Sequence, residues 1–211
     1  MKHINNAIDQ YTQTNLTAKC VLDDLIKGNT RFAENKVNTV ETNALVKQTI
    51  EGQYPKAIVL SCIDSRVPVE TIFDQTIGDI FVARVAGNFE NTDIIGSMEY
   101  ACKVAGSKLI FVLGHESCGA IKAACDGVEL GNITSLVEKI KPAVNVSESE
   151  VCGPHDSSNT EFVNKTIENN VMLTIDRILT KSPILREMKE NGEIEITGGI
   201  YKLSDGKVAI C

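Results

Sequence analysis

The stretch AIVLSCIDSR, residues 57–66, decides the fold. Its first five residues, Ala57, Ile58, Val59, Leu60 and Ser61, are small or apolar, with branched side chains and no charge. Such a run reads as a strand buried on both faces, as in a parallel sheet covered by helices. Where it stops, three reactive side chains follow at alternate positions: Cys62, Asp64 and Arg66. Open α/β sheets build their sites at the carboxyl ends of parallel strands. A thiol, a carboxylate and a guanidinium are therefore expected to converge there.

A second run, KLIFVLG at residues 108–114, repeats the pattern and leads into His115, Glu116, Ser117, Cys118 and Gly119. Two strand tips thus carry ligand-type side chains, Cys62 and Asp64 from one, His115 and Cys118 from the other. Two thiolates, an imidazole and a carboxylate suit tetrahedral zinc. Cys152 and His155 repeat the two-residue gap. No strand end supports them and no second pair lies near, so they are not read as a second site.

At 211 residues and 43% hydrophobic content, the chain fits one domain with a sizeable core. A net charge of -7 and the lack of an aromatic-basic stripe argue against a nucleic-acid partner. No apolar run has the length of a membrane span. Seven cysteines, an odd number, read as reduced thiols and metal ligands rather than a disulfide framework. A cytoplasmic location is expected, the alternative being a periplasmic chain whose signal peptide has been removed.

The fold class expected is α/β: a central, mostly parallel sheet of four to five strands flanked by helices, in a single domain. Residues 1–52 would form an N-terminal helical arm and 53–211 the zinc-binding core. Residues 18–35 carry Val21, Leu22, Leu25, Ile26 and Phe32 on one stripe, behind a capping Thr17. Gly28 should weaken that helix. The stripe reads as an arm packed on another subunit, or as a helix lying on its own sheet. Further elements are a short helix over 68–73, a strand over 80–85 and an amphipathic helix over 93–105. A helix opens at Cys118 and runs to 127, another over 133–141 is ended by Pro142, and a polar loop spans 146–159. A long helix covers 162–181, and a hairpin turns at Ser204-Asp205-Gly206. Arg84 reads as a paired structural charge, and Cys20, Cys102, Cys125 and Cys211 as small packing residues.

CIDSRV at 62–67 with GHESCGA at 114–120 resembles the β-class carbonic anhydrases. GDIFVARVAGN at 78–88, SMEYA at 97–101 and GGIYKLSDGKV at 198–208 stand in the order of that family. The resemblance implies reversible hydration of carbon dioxide to bicarbonate and a proton at Zn2+. Cys62, His115 and Cys118 would be the ligands, leaving one position for water. Two thiolates already neutralise the metal's charge, so a helping group is expected: Asp64 to orient the nucleophile, held by Arg66. The family also has closed sites in which the aspartate becomes a fourth ligand. Gln53, Phe81 and Tyr100 stand at the positions typical of the open-site type, with Asp64 off the metal at neutral pH. From the residues alone, Gln53 reads as a surface residue, Phe81 as core, and Tyr100 equally as a helix-packing residue. By resemblance these three and Gly119 line the substrate pocket. A homodimer or tetramer of dimers is implied, in which Gln53, Phe81 and Tyr100 reach the zinc of the neighbouring subunit. The rivals are a carbonyl sulfide or carbon disulfide hydrolase on the same scaffold, and a non-catalytic zinc module closed by four protein ligands.

Overall fold

The computed structural model describes residues 2–211. In chain order the elements begin with β1 (His3–Ile4), α1 (Gln10–Asn15), α2 (Ala18–Ala33), β2 (Thr39–Val40) and α3 (Thr42–Gln48). Then come β3 (Ala57–Ser61), α4 (Val69–Ile72), β4 (Ile80–Arg84), α5 (Thr92–Glu99) and a π-helical turn, Tyr100–Val104. The remainder is β5 (Leu109–His115), α6 (Gly119–Cys125), α7 (Gly131–Glu148), α8 (Thr160–Lys181), α9 (Pro183–Glu190), β6 (Glu195–Tyr201) and β7 (Val208–Ile210). The main sheet runs β4-β3-β5-β6-β7, parallel except for the antiparallel β7 at one edge.

Every residue of β3 and β5 is buried, which is why both read as uninterrupted apolar runs. Alternate side chains serve opposite faces. Ile58 and Leu60, with Ile110 and Val112, meet Ile94, Met98, Val171 and Ile178 from α5 and α8. Ala57 and Val59, with Leu109, Phe111 and Leu113, meet Val21, Leu25, Ile72 and Phe73 from α2 and the α4 region. A third cluster lies under the strand tips. There Ile121, Ile140, Phe162 and Ile167 from α6, α7 and α8 surround Cys62 and Cys118.

The apolar stripe of α2 is thus taken up by the chain's own sheet. Thr17 caps the helix as expected, its side chain accepting from the Cys20 amide. Gly28 has a packing role that outweighs its helix-weakening character. A Cβ there would stand 1.8 Å from the Phe73 carbonyl oxygen, so only a hydrogen lets α2 lie against the end of α4.

Pro142 does not end α7, which continues to Glu148. An internal proline costs about 3 kcal/mol, but Val137, Ile140, Ala143, Val144 and Ser147 are buried on the inner face. Pro142 and Glu138, whose carbonyl loses its partner, lie on the exposed face where water can serve it. The polar loop accordingly begins later than expected, after Glu148. The helix expected over 93–105 is α5 followed by the π-helical turn. The Ala105 amide donates to the Tyr100 carbonyl at 2.9 Å, which inserts one extra residue into the turn. Helix α9 and the β1–β2 pair were not expected; α9 is short, and the paired strands have two residues each. Cys102 and Cys125 are buried packing residues, whereas Cys20 and Cys211 are exposed. Among the described residues, no helix is long and apolar enough to cross a membrane.

Replacing Gly28 with Ala should test the α2 packing. On an isolated helix the change gains about 1 kcal/mol; here overpacking against Phe73 should instead cost about 1–3 kcal/mol. Urea denaturation reads the sign, and a stabilised G28A would contradict the close approach.

Candidate metal centre

Strands β3 and β5 are paired from Ala57↔Leu109 to Ser61↔Leu113. The next residue on one strand is Cys62, and two residues beyond Leu113 stands His115. After His115 the chain makes a tight turn in which Ser117 has φ 54°, a left-handed conformation, and α6 begins with Cys118 as its N-cap. The turn brings the Cys118 sulfur back over the strand tips, 3.9 Å from that of Cys62. The three ligand-type atoms of Cys62, His115 and Cys118 all lie within 4.8 Å of one another. In a tetrahedral zinc site with Zn–S bonds of about 2.3 Å, two sulfurs stand about 3.8 Å apart.

The histidine is set for a metal. Its Nδ1 lies 2.9 Å from the Glu116 carbonyl oxygen, which can only accept, so Nδ1 carries the proton. Nε2 then bears a lone pair, and it is fully buried with no hydrogen-bond partner. An orphaned acceptor facing two sulfurs is the arrangement a soft divalent cation would satisfy. The sulfurs are poised likewise. The Cys62 thiol is drawn down to about 4, first by its hydrogen bond with Cys118 and, against the effect of burial, by His115 and the Gly87 amide. Cys118 is pushed up, because its proton is engaged by Cys62 and the sulfur is buried. The pair thus shares one proton, which a bound cation would displace.

Asp64 stands beside this group and outside it. Arg66 donates Nε to Oδ1 at 3.0 Å and Nη2 to Oδ2 at 2.8 Å, and its backbone amide adds a bond to Oδ1 at 2.9 Å. These bonds, the side-chain pair foremost, hold the carboxyl down to about 2. Oδ2 is 4.0 Å from His115 Nε2, so the clamped carboxylate borders the centre. Arg66 also reaches the Ser117 carbonyl at 3.3 Å, tying the two strand tips together.

Arg84 turns out to have carbonyl partners rather than a carboxylate. Its Nε donates to the Cys62 carbonyl at 2.9 Å and its Nη2 to the Asp64 carbonyl at 2.7 Å. Sequence reasoning could not assign it, because a charge at a strand end signals a partner but not which one. The Gly87 amide, which donates to the Cys62 sulfur at 3.4 Å, left no sequence signal beyond a strand-breaking glycine.

The expected pocket residues lie elsewhere. Phe81 pairs with Ile58 in the sheet, so it sits near the start of β3; four residues of strand, about 13 Å, separate Ile58 from Cys62. Tyr100 lies against Phe81, with ring centroids 6.3 Å apart, and is 54% exposed. Gln53 is exposed and precedes β3. The structure does not bring these three to this chain's own centre. Gly119 is the first residue of α6, and open space surrounds the place a Cβ would take. Among the described residues, no other group of three ligand-type side chains converges. His155 instead stacks on Phe162 at 5.0 Å, and Cys152 is exposed.

A parallel α/β sheet whose adjacent strand tips gather two cysteines and a histidine, beside an arginine-clamped aspartate, has the donor set of a candidate metal site. Comparison with known proteins specifies the family. Residues 57–208 match the family model described as carbonic anhydrase. Carbonic anhydrase 2 of Mycobacterium tuberculosis is 35% identical over 164 residues, covering 75% of each chain. The carbonic anhydrase of Mycolicibacterium smegmatis is 33% identical over 192 residues, 87% of this chain and 88% of that one. The tetrameric β-carbonic anhydrases of Sordaria macrospora align with a TM-score of 0.69 at 27% identity, over 78% of this chain and 84% of theirs. The chain belongs to the carbonic anhydrase family, in its β class, and is an enzyme of that kind.

Because Arg66 is the main cause of the low Asp64 pKa, R66Q should move it upward from about 2 toward the ordinary value near 3.8. The carboxylate is ionised above its pKa and loses its charge as pH falls through it, so the variant should protonate at higher pH than the parent. Infrared titration of the carboxyl band measures this, and an unmoved titration would contradict the clamp.

Proposed function

We propose that the protein catalyses the reversible hydration of carbon dioxide to bicarbonate and a proton, with zinc held by Cys62, His115 and Cys118. One observation carries the reading. Three convergent ligand atoms, with His115 Nε2 unpartnered, stand beside an ionised carboxylate that is held off the cluster. Three protein ligands leave one position open, which a four-ligand structural module would not. Zinc at that place would supply Lewis acidity, lowering the pKa of a water toward neutrality.

The chain's own groups do the rest. Asp64, ionised down to about pH 2, is an acceptor throughout the working range. Its Oδ2 accepts a hydrogen bond from the attacking water and so fixes which lone pair faces carbon dioxide. The low pKa suits it to orienting the water rather than to storing the proton. Arg66 holds Oδ1 and Oδ2 through two donors, which fixes the carboxylate plane. Arg84 anchors the backbone on either side of Ile63, so Asp64 keeps its place relative to Cys62. The same clamp favours the open site, with Asp64 off the metal at neutral pH.

The substrate pocket is proposed to be completed by a second subunit. Phe81 and Tyr100 line a groove of about 620 Å3 along the β4 edge with Ile58, Val82, Ala83 and Gly96. Distant from their own centre, they would serve a neighbour's, together with Gln53. The Sordaria macrospora relatives are tetrameric, and a dimer or a tetramer of dimers is the assembly proposed here.

The test is metal analysis with stopped-flow carbon dioxide hydration. D64A should keep its zinc and lose about a hundredfold or more in kcat. Full activity in D64A would remove the role given to Asp64, and a purified protein without zinc would remove the metal reading.

A further inference from the structure

The turn after β4 touches the centre through one backbone amide. Its Gly87 amide donates to the Cys62 sulfur at 3.4 Å. Gly87 has φ 82° and Asn88 φ 41°, so two successive residues are in the left-handed region. A Cβ on Gly87 would meet Ile140 Cδ1 at 2.5 Å, so α7 packs closely against the turn. Helix α8 holds the turn from its other side. Asn170 Nδ2 donates to the Gly87 carbonyl at 2.8 Å. Two helical turns on, Arg177 Nε lies 2.9 Å from both carboxylate oxygens of Glu90.

Asn170 is 1% exposed and its Oδ1 has no partner. A buried amide left half unsatisfied is costly for stability, and here its other half is spent on the buried Gly87 carbonyl. What the amide provides is its grip on Gly87. The N–H and the C=O of Gly87 belong to adjoining peptide planes that meet at a Cα with no side chain, a permissive hinge. Holding the carbonyl fixes one of the two planes and narrows the directions open to the N–H.

We propose that Asn170 is a positioning residue for the metal centre, acting through Gly87 to keep an N–H bond on the Cys62 sulfur. The inference rests on the zinc reading above. A hydrogen bond to a ligating thiolate draws electron density from sulfur and lessens its donation to the metal. In a site with two thiolates, that preserves the metal's acidity. Asn170 reaches neither metal nor substrate; it sets the electronic character of one ligand.

The experiment compares zinc-loaded parent, N170D, N170A and, as a control, I178V. In N170D an isosteric acceptor faces the Gly87 carbonyl and repels it. Ile178 is a buried residue two turns further along α8, packed in the cluster over the sheet rather than in the one around the ligands. Two quantities are read: the rate of zinc release to excess chelator at neutral pH, and the sulfur-to-cobalt charge-transfer band of the cobalt-substituted protein. N170D and N170A, whose Cys62 sulfur donates more strongly, should release zinc about tenfold more slowly, with the band moved to lower energy. I178V should leave both at the parent's values even where its thermal midpoint falls. If N170D does not fold, N170A alone decides. Parent-like release and band in the Asn170 variants, or equal changes in I178V, would overturn the proposal while leaving the zinc reading intact. A parent protein that holds no zinc would overturn that reading itself.

Discussion

Everything at the centre depends on the parallel ladder between β3 and β5. Its register, Ser61↔Leu113 at the last rung, puts Cys62 and His115 at neighbouring tips. A slip of one residue would turn Cys62 toward the opposite face and bury the wrong side chains along both strands. Register is therefore enforced by the whole apolar content of the two strands, not by the site. Both faces of the pair are covered, by α5 and α8 on one side and by α2 and α4 on the other. The three ligand-type side chains thus inherit rigidity from burial they do not themselves provide.

The second constraint is charge. Two sulfurs and a carboxylate are gathered in a region where Cys118 and His115 are wholly buried. Unpaired, such a concentration of negative charge would drive the groups to bind protons. The chain answers with directed donors. Arg66 meets the Asp64 carboxylate, Arg84 meets the backbone carbonyls beside it, and the Gly87 amide meets Cys62. None of these donors lies on α6, the helix that carries Cys118 at its start. They come from the β3 tip, the β4 end and the turn that follows, so the centre is assembled by loops held on a stiff sheet. Within the sheet, glycine permits a close contact: Gly198 lets α8 lie on β6, since a Cβ would stand 2.4 Å from Val171 Cγ1.

The edge of the sheet has a different logic. β4 has a strand neighbour on one side only, and its side chains are only partly covered. Beside it the π-helical turn leaves Tyr100 and Val104 exposed while burying Ala101 and Cys102. An extra residue in a helical turn re-aims the side chains that follow. Apolar groups presented outward on an open strand edge are the pattern of a surface meant to be covered.

The sequence by itself determined the two central strands, the three ligand-type side chains at their tips, the Asp64–Arg66 pair and the hairpin at the end of the sheet. These signals are local. An uninterrupted apolar run must be buried on both faces, and reactive residues directly after it must lie at its tip. Only the tertiary structure decided the rest. It showed that α2 spends its stripe on its own core, that α7 runs through Pro142, and that Arg84 serves carbonyls. It also placed Gln53, Phe81 and Tyr100 at the far end from their own centre, and joined Asn170 to Gly87 across 83 residues of chain. Each of these depends on which surfaces meet. A proline is tolerated when buried neighbours outweigh it, and a charged or amide side chain takes whatever partner packing puts within reach.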